Sequence, residues 1–298
     1  MNMGNAPRFL MCPPRHFGVT YAINPWMDPD SWARDDHFLA AASHREWAAL
    51  RQRLAELGAT VELVRPEPGL PDLVFTANAA VVLDRKALLA RFRHPQRQRE
   101  RAHFERAFRM LQRRGLIDEL MKLPDSLVLE GAGDCVWDQA RGLFWMGHGP
   151  RSDAAARDII ADVYGAEVMA LALADARFYH MDTALCPLPR GEVLFVPDAF
   201  TPDGRARIRE RVAPAQRIEV GIEDACRLAA NAVCLGDTLV MSYCGDRLRS
   251  RLAERGYRVV TTRLDSFLRS GGAAFCLTLR LDRHSDRLRM PAEDATAA

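Results

Sequence analysis

The chain has no C-x-x-C pair, no long apolar run and no large excess of either charge, and each lack removes a class of function. Its seven cysteines, Cys12, Cys135, Cys186, Cys226, Cys234, Cys244 and Cys276, are odd in number. Neither a disulfide framework nor a zinc ribbon is indicated by that pattern. The opening MNMGNAPRFLMCPPRHF has no continuous apolar stretch of the signal-peptide kind. No run reaches the length of a membrane span. Together these points predict a reducing, cytoplasmic compartment. Net charge is +2, from 41 basic against 39 acidic residues. That balance gives no electrostatic case for non-specific nucleic-acid binding. The locally basic 91-RFRHPQRQRERAHFERAFRMLQRR-114 has helical spacing. It reads as a solvated helix face from which a few arginines can turn toward a site.

What is present suits a globular protein with a sizeable core: 298 residues, 48% of them apolar and 27% charged. That length fits one large α/β domain or a repeat array. Short apolar runs predict buried strands over 8–12, 60–64, 79–83, 126–130, 143–147, 166–171, 192–196, 217–220, 257–262 and 276–281. Amphipathic helical stretches lie between them. Over 43–57, Trp47, Leu50, Leu54 and Leu57 share one face, and Gly58 follows as a C-cap. The stretches 153–164 and 246–255 read the same way, each with Asp near its start and Gly just past its end.

Five segments share one plan: FTANAAVVL, GAGDCVWD, YHMDTALCPL, LAANAVCLG and GAAFCLTLRL. Each has a small or polar approach, one polar residue and then an apolar run. The polar residues are Asn78, Asp134, Asp182, Asn231 and Cys276, spaced 56, 48, 49 and 45 apart. Near-regular spacing of that size indicates an array of strand-and-helix units. Five units closed around an axis would gather five strand starts at one end, where a polar side chain faces a shared pit. A doubly wound sheet with turn residues at its strand ends is the other architecture open at this point.

Several of these residues suit catalysis. Cys276 follows 271-GGAAF-275, a small and flexible approach that leaves room for a ligand near the backbone. A nucleophilic thiolate needs such access and a lowered pKa, although a lone cysteine near a chain end also reads as inert core. Strand alternation puts His180 and Asp182 on one face, as acid/base work or cation binding requires. Glu130 and Asp134 flank a Gly-Ala-Gly turn. Carboxylates placed there need partners, either as turn caps or around a ligand. Several acids around one pit suit a cation, and guanidinium offers N–H donors in a fork that carboxylates match in pairs.

The motifs FTAN, EGAGD, HMD and GGxxxC occur in one order over nearly the whole chain. In this the chain resembles the guanidino-group-modifying enzymes of the pentein fold: arginine deiminases, dimethylargininases, amidinotransferases and dihydrolases. The resemblance implies a five-bladed α/β propeller of five ββαβ-type repeats around a pseudo-fivefold axis. It implies one catalytic domain over 1–285, with a disordered tail over 286–298. It makes Cys276 the nucleophile, His180 the acid/base and Glu130 the acid associated with the histidine. Asp182 then holds the guanidinium, and Asp134 matches the second acid of EGGD-type motifs. Ala132 stands where glycine is usual, which raises a question about the turn.

Position 78 sorts the subfamilies. Hydrolytic deiminases generally carry Asp there, whereas this chain has Asn. With 20-TYAINPWMD-28, HPQR and CLTL, it resembles the arginine dihydrolases, which take arginine to ornithine, carbon dioxide and two ammonia. The resemblance adds Asn24, Arg97 and Arg151 as substrate-binding residues, the two arginines at the α-carboxylate end. Known dihydrolases also carry an ornithine-related domain, so the chain is expected to be the catalytic domain alone. A dimethylargininase or deiminase that stops at citrulline is the nearest alternative. An amidinotransferase or a non-catalytic pentein binding module is more remote. The expected partner is a small arginine-like molecule, with no nucleic acid and no membrane; homo-oligomerisation stays open. The chemistry needs no metal and no organic cofactor.

Overall fold

The computed structural model describes residues 6–285; the tail expected to be disordered lies outside them. Among the described residues, fifteen short strands form five sheets of three. In the first, β1 (Arg8–Met11) pairs in parallel with β2 (Thr60–Leu63) across helix α1 (Asp36–Glu56). The second contains β3 (Ala80–Leu83), β4 (Lys86–Leu89), α2 (Glu100–Arg113) and β5 (Glu119–Lys122). The third contains β6 (Cys135–Asp138), β7 (Leu143–His148), α3 (Ala156–Tyr164) and β8 (Glu167–Ala172). The fourth contains β9 (Leu185–Pro187), β10 (Val193–Phe195), α4 (Pro202–Arg211) and β11 (Arg217–Glu219). The fifth contains β12 (Val233–Leu235), β13 (Thr238–Met241), α5 (Asp246–Ala253) and β14 (Arg258–Thr261). Finally β15 (Leu279–Arg280) pairs antiparallel with β1 and completes the first sheet from the far end of the sequence.

Every sheet therefore follows one rule. An inner strand pairs antiparallel with a middle strand, and the middle strand pairs in parallel with a third across a helix. The parallel step needs the helix, because parallel neighbours cannot be joined by a tight turn. Burial grades across each sheet. All four residues of β3 and of β6 are buried, whereas no residue of β2, β5 or β14 is fully buried and both ends of each are exposed. The helices close the outside. Helix α1 buries Leu39, Ser43, Trp47, Leu50 and Leu54 on one stripe. Helix α2 buries Phe104, Phe108 and Leu111 together with Glu100. Within the Arg-rich stretch, 100–113 is thus a solvated helix with one buried acid on its inner face, while Arg97 ahead of it is buried.

Some expected elements are placed differently. Ser126–Glu130 is not a strand; Leu129 only bridges to Arg91, and the sheet is completed by Glu119–Lys122. That edge strand, ELMK, has too little apolar contrast to stand out. Cys276 and Leu277 belong to a turn, and the last strand is confined to Leu279–Arg280. His180 and Asp182 do not alternate along a strand: His180 is the N-cap of a single helical turn, Met181–Ala184. Asn78 likewise lies in a 3₁₀ turn, Thr76–Ala79, just ahead of β3. The amide interrupts the apolar pattern because it precedes the strand. Among the described residues, no helix is long and apolar enough to cross a membrane.

Candidate functional site

The five turns that precede the inner strands are hydrogen-bonded one to the next. Asn78 Nδ2 donates to the Glu130 carbonyl at 3.0 Å. Met181 N donates to Asp134 Oδ1 at 3.1 Å. Asn231 Nδ2 donates to the Asp182 carbonyl at 3.1 Å, and Cys276 N donates to Asn231 Oδ1 at 3.2 Å. Ala77 N then donates to the Cys276 carbonyl at 3.2 Å, which returns the sequence of contacts to the first turn. The polar residues read as a repeat are the residues through which the turns touch. Their burial is near complete: Asn78 2%, Asp134 0%, Asp182 1%, Asn231 0% and Cys276 3% exposed.

Close approach depends on the glycines of LEGAGD. Gly131 has φ +65°, and a methyl on it would sit 2.8 Å from the Ala77 carbonyl oxygen. A methyl on Gly133 would overlap the Asn78 amide nitrogen. Ala132 does not have a positive φ, and its side chain packs into the core beside Val82. The residue that departs from the EGGD pattern therefore occupies the one position of the turn where a methyl fits.

Two clusters result. In the first, Cys276 Sγ donates to Asp182 Oδ2 at 3.1 Å and accepts from Asn231 Nδ2 at 3.1 Å. Burial pushes the Cys276 thiol up, and the adjacent Asp182 carboxylate adds to the rise. Burial also raises Asp182, to about 7, against the hydrogen bonds from Cys276 and Asn231. Asp182 Oδ1 is buried and accepts no hydrogen bond among the described residues. A buried carboxylate oxygen left so is costly unless a donor reaches it.

In the second cluster, Glu130 Oε2 lies 2.8 Å from His180 Nε2 and accepts from Arg151 Nη1 at 2.9 Å. Its Oε1 accepts from Arg93 N at 3.1 Å. Burial alone would raise Glu130; the Arg151 charge and the His180 bond outweigh it and hold the carboxyl below its usual range. Burial lowers His180 to about 4, despite that same Glu130 bond. Asp134 Oδ2 accepts from Ser152 Oγ at 2.6 Å and lies 4.0 Å from His180 Nε2. Burial pushes its carboxyl up, and nearby Glu130 adds to that.

The remaining expected residues lie around these clusters. Arg97 is buried and pairs with Glu100 through Nε at 2.9 Å and Nη2 at 2.8 Å. Its Nη1 donates to Asn78 Oδ1 at 2.9 Å, so both ends of the Asn78 amide are engaged. Arg151 stacks over Tyr179, with Cζ 4.5 Å from the ring centroid, and Nη2 donates to the Ile23 carbonyl. Asn24 Nδ2 donates to the Ser270 carbonyl at 3.1 Å. Tyr21, in the same segment, donates to Asp72 Oδ2 at 2.9 Å. Residues 21–24 are thereby tied to Arg151 of the second cluster, to Ser270 and to Asp72. Both arginines expected at the α-carboxylate end face the buried polar network, one against Asn78 and one against Glu130.

A family described as "N,N dimethylarginine dimethylhydrolase, eukaryotic" matches residues 14–283. The chain is also 35% identical over 274 residues to the N(G),N(G)-dimethylarginine dimethylaminohydrolase of Mycobacterium tuberculosis, covering 92% of this chain and 85% of that protein. It belongs to the dimethylarginine dimethylaminohydrolase family. A second relative is the bifunctional arginine dihydrolase/ornithine cyclodeaminase ArgZ of Synechocystis sp., 40% identical over 279 residues. That match covers 94% of this chain and 38% of ArgZ, so the chain spans well under half of that relative's length. A crystal structure of the N-terminal domain of ArgZ bound to product is 39% identical, with a TM-score of 0.88, covering 94% of this chain and 99% of that one. The likeness puts this family member in the α/β fold of the pentein superfamily.

Four contributors to this dimethylargininase-family site carry no role in the sequence reading. Asn231 has a visible signal, since it is one of the five repeat residues, yet an amide announces no chemistry. Glu100 is hidden among the charges of the Arg-rich stretch. Ser152 and Asp72 stand outside every motif.

Proposed function

We propose that the chain is a cysteine-dependent hydrolase of the arginine guanidinium group, an arginine dihydrolase giving ornithine, carbon dioxide and two ammonia. The observation that carries the guanidinium reading is Asp182. Its Oδ1 is buried without a donor while its Oδ2 holds the Cys276 thiol. A guanidinium N–H given to Oδ1 would place the electrophilic carbon beside the sulfur. The added positive charge would also favour ionised Asp182 and the thiolate.

With Glu130 ionised, Nε2 of His180 carries the proton and Nδ1 is the acceptor. The thiol proton passes to His180 as Cys276 attacks the guanidinium carbon, and His180 returns it to the departing ammonia. Water, deprotonated by His180, then hydrolyses the thiouronium adduct to the ureido compound citrulline. A second attack expels the second ammonia. Hydrolysis of that adduct leaves a carbamate, which loses carbon dioxide to give ornithine.

Asn78 governs whether the second round occurs. Its amide donates to the Glu130 carbonyl and accepts from Arg97. It therefore presents no unpaired charge to a neutral ureido group. Asp at this position would keep the Arg97 bond but set a carboxylate oxygen against the Glu130 carbonyl. Incubation with L-arginine, with citrulline, ornithine and ammonia quantified, tests the reading. Ornithine with about two ammonia per arginine is expected, and Asn78→Asp should shift product toward citrulline. Unchanged ornithine from that variant sinks the role given to Asn78. The dimethylarginine hydrolase relative favours a second reading, hydrolysis that stops at citrulline; faster turnover of methylated arginine than of arginine would select it.

The five sheets are read as the blades of a closed propeller around a pseudo-fivefold axis, supported by the circuit of contacts between the five turns. Residues 1–285 are read as one catalytic domain. The seven free thiols suit a reducing, cytoplasmic setting.

A further inference from the structure

The inner strands have a second end. Their N-terminal turns carry the cysteine and histidine clusters; their C-terminal ends open on a cavity of about 320 Å³. Trp137, Pro187, Cys234, Arg280, Arg283 and His284 are among its lining residues. Two small cavities beneath it reach inward and share Phe275, Arg280 and Arg283 as walls. Phe275, next to Cys276, separates the two ends.

We propose that this cavity binds a small oxyanion, a carboxylate or phosphoryl group held by the Arg283 guanidinium with Arg280 and His284 at its sides.

The argument begins with charge. Arg280 is neutralised: Nε and Nη2 grip Asp282 at 2.6 and 2.9 Å. Asp282 Oδ1 also accepts from Arg8 N at 2.8 Å, so that carboxylate is already shared. Arg283 has no such partner. Its recorded side-chain bond is a long one, Nη1 to the Trp137 carbonyl at 3.5 Å, and among the described residues it forms no ion pair. Its cavity neighbours include Asp282, already held by Arg280, and the Cys186 and Cys234 thiols, each pushed by burial above its ordinary value. The thiols stay neutral and offer Arg283 no counter-charge. Burial and the adjacent Arg280 push Arg283 down to about 10, so at neutral pH it still carries its proton. A half-buried guanidinium beside a second cation, with the neighbouring Asp282 carboxylate already bound to Arg280, costs free energy that a bound anion recovers. Its planar fork matches the two oxygens of a carboxylate or phosphate. The cavity's size sets the ligand class at a small molecule.

Inorganic phosphate and succinate are the probes for the phosphoryl and carboxylate sources. Titration calorimetry on the whole chain at constant ionic strength should show binding of at least one of them, with sodium chloride giving none. Phosphate alone assigns a phosphoryl ligand and succinate alone a carboxylate. Arg283→Gln should weaken that binding about tenfold or more, the loss of a charge-assisted hydrogen bond. Without the anion this variant should melt no lower than the parent, because an uncompensated cation has gone. His284→Glu, at an exposed mouth position, should weaken binding several-fold by like-charge repulsion even if Arg283→Gln fails to fold. Cys276→Ser should bind as the parent does. Absence of binding by both probes, or binding unchanged in Arg283→Gln and His284→Glu, overturns the proposal; so does loss of binding in Cys276→Ser, which would place the anion at the other end.

Discussion

At the scale of single residues, the chemistry depends on how the protein holds two groups that burial makes unreactive. The Cys276 thiol donates to Asp182 in a buried site, and burial pushes both carboxyl and thiol up. In the proposed reaction a substrate cation separates them. Asp182, at about 7, must be ionised to pair with guanidinium. Below that pH it is protonated and cannot pair; as pH rises through it the carboxylate forms. The KM for arginine should therefore be about tenfold higher at pH 6 than at pH 8. Asp182→Asn should have a high KM without that dependence. A flat KM from pH 6 to pH 8 in the parent would remove Asp182 from substrate pairing. Asn231 acts on the sulfur itself, since its Nδ2 donates to Sγ. A donor to sulfur stabilises the thiolate more than the thiol. Asn231→Ala should move the midpoint of Cys276 alkylation upward by about one to two pH units, the worth of one hydrogen bond to a charged group. If Asn231 is only a spacer between turns, the melting temperature falls and the alkylation midpoint stays.

At the scale of elements, the side chains proposed for catalysis belong to turns that end just before strands, and the glycines decide how closely those turns meet. The two glycines of GAG face Ala77 and Asn78 without side chains, whereas Ala132 between them fills core space. Gly133→Ala should displace the Asn78 amide, cost about 1–3 kcal/mol by overpacking and reduce turnover with arginine. Ala132→Gly should cost about 1 kcal/mol or less, mainly through added freedom of the unfolded chain. Urea denaturation together with kcat separates the two, and equal effects would mean that the turn has no tight side. The sequence pattern showed where each inner strand begins, because a polar residue between a small approach and an apolar run is conspicuous. It misassigned what those residues sit on. His180 and Asp182 look like strand alternation, but they are cap and first turn of a four-residue helix. Periodicity cannot separate the two over so few residues. Helix α1 was legible because its apolar stripe runs for several turns. Hairpin partners such as β4 and the edge strand β5 were not, being four residues long with weak contrast. Asn231 and Glu100 were missed as functional residues for another reason. Their roles come from what lies opposite them in space, Cys276 for one and Arg97 for the other, and neighbours in sequence carry no trace of that.

At the scale of the whole molecule, the first and last strands of the described residues are joined in one sheet. β15 pairs with β1 in the register Phe9 to Arg280 and Leu10 to Leu279, and Leu281 N returns a bond to the Arg8 carbonyl. The first sheet lacks its inner strand until the last residues are in place. Leu279 and Leu281 enter the same core cluster as Leu10, Leu89 and Phe92, so the last strand also packs on the second unit. Contact between residues so far apart in sequence carries a large loop-closure cost, recovered only when the intervening units are folded. Folding should accordingly be all-or-none, unlike an open array whose repeats melt separately. A chain ending at Thr278 keeps Cys276 and every other residue of the two clusters, yet loses β15. It should lose its cooperative thermal transition, followed by circular dichroism, and its turnover of arginine together. A retained transition within a few degrees of the parent would show that the remaining units stand without the closing strand. Loss of turnover alone, with the transition intact, would mean that β15 positions Cys276 and does not hold the fold.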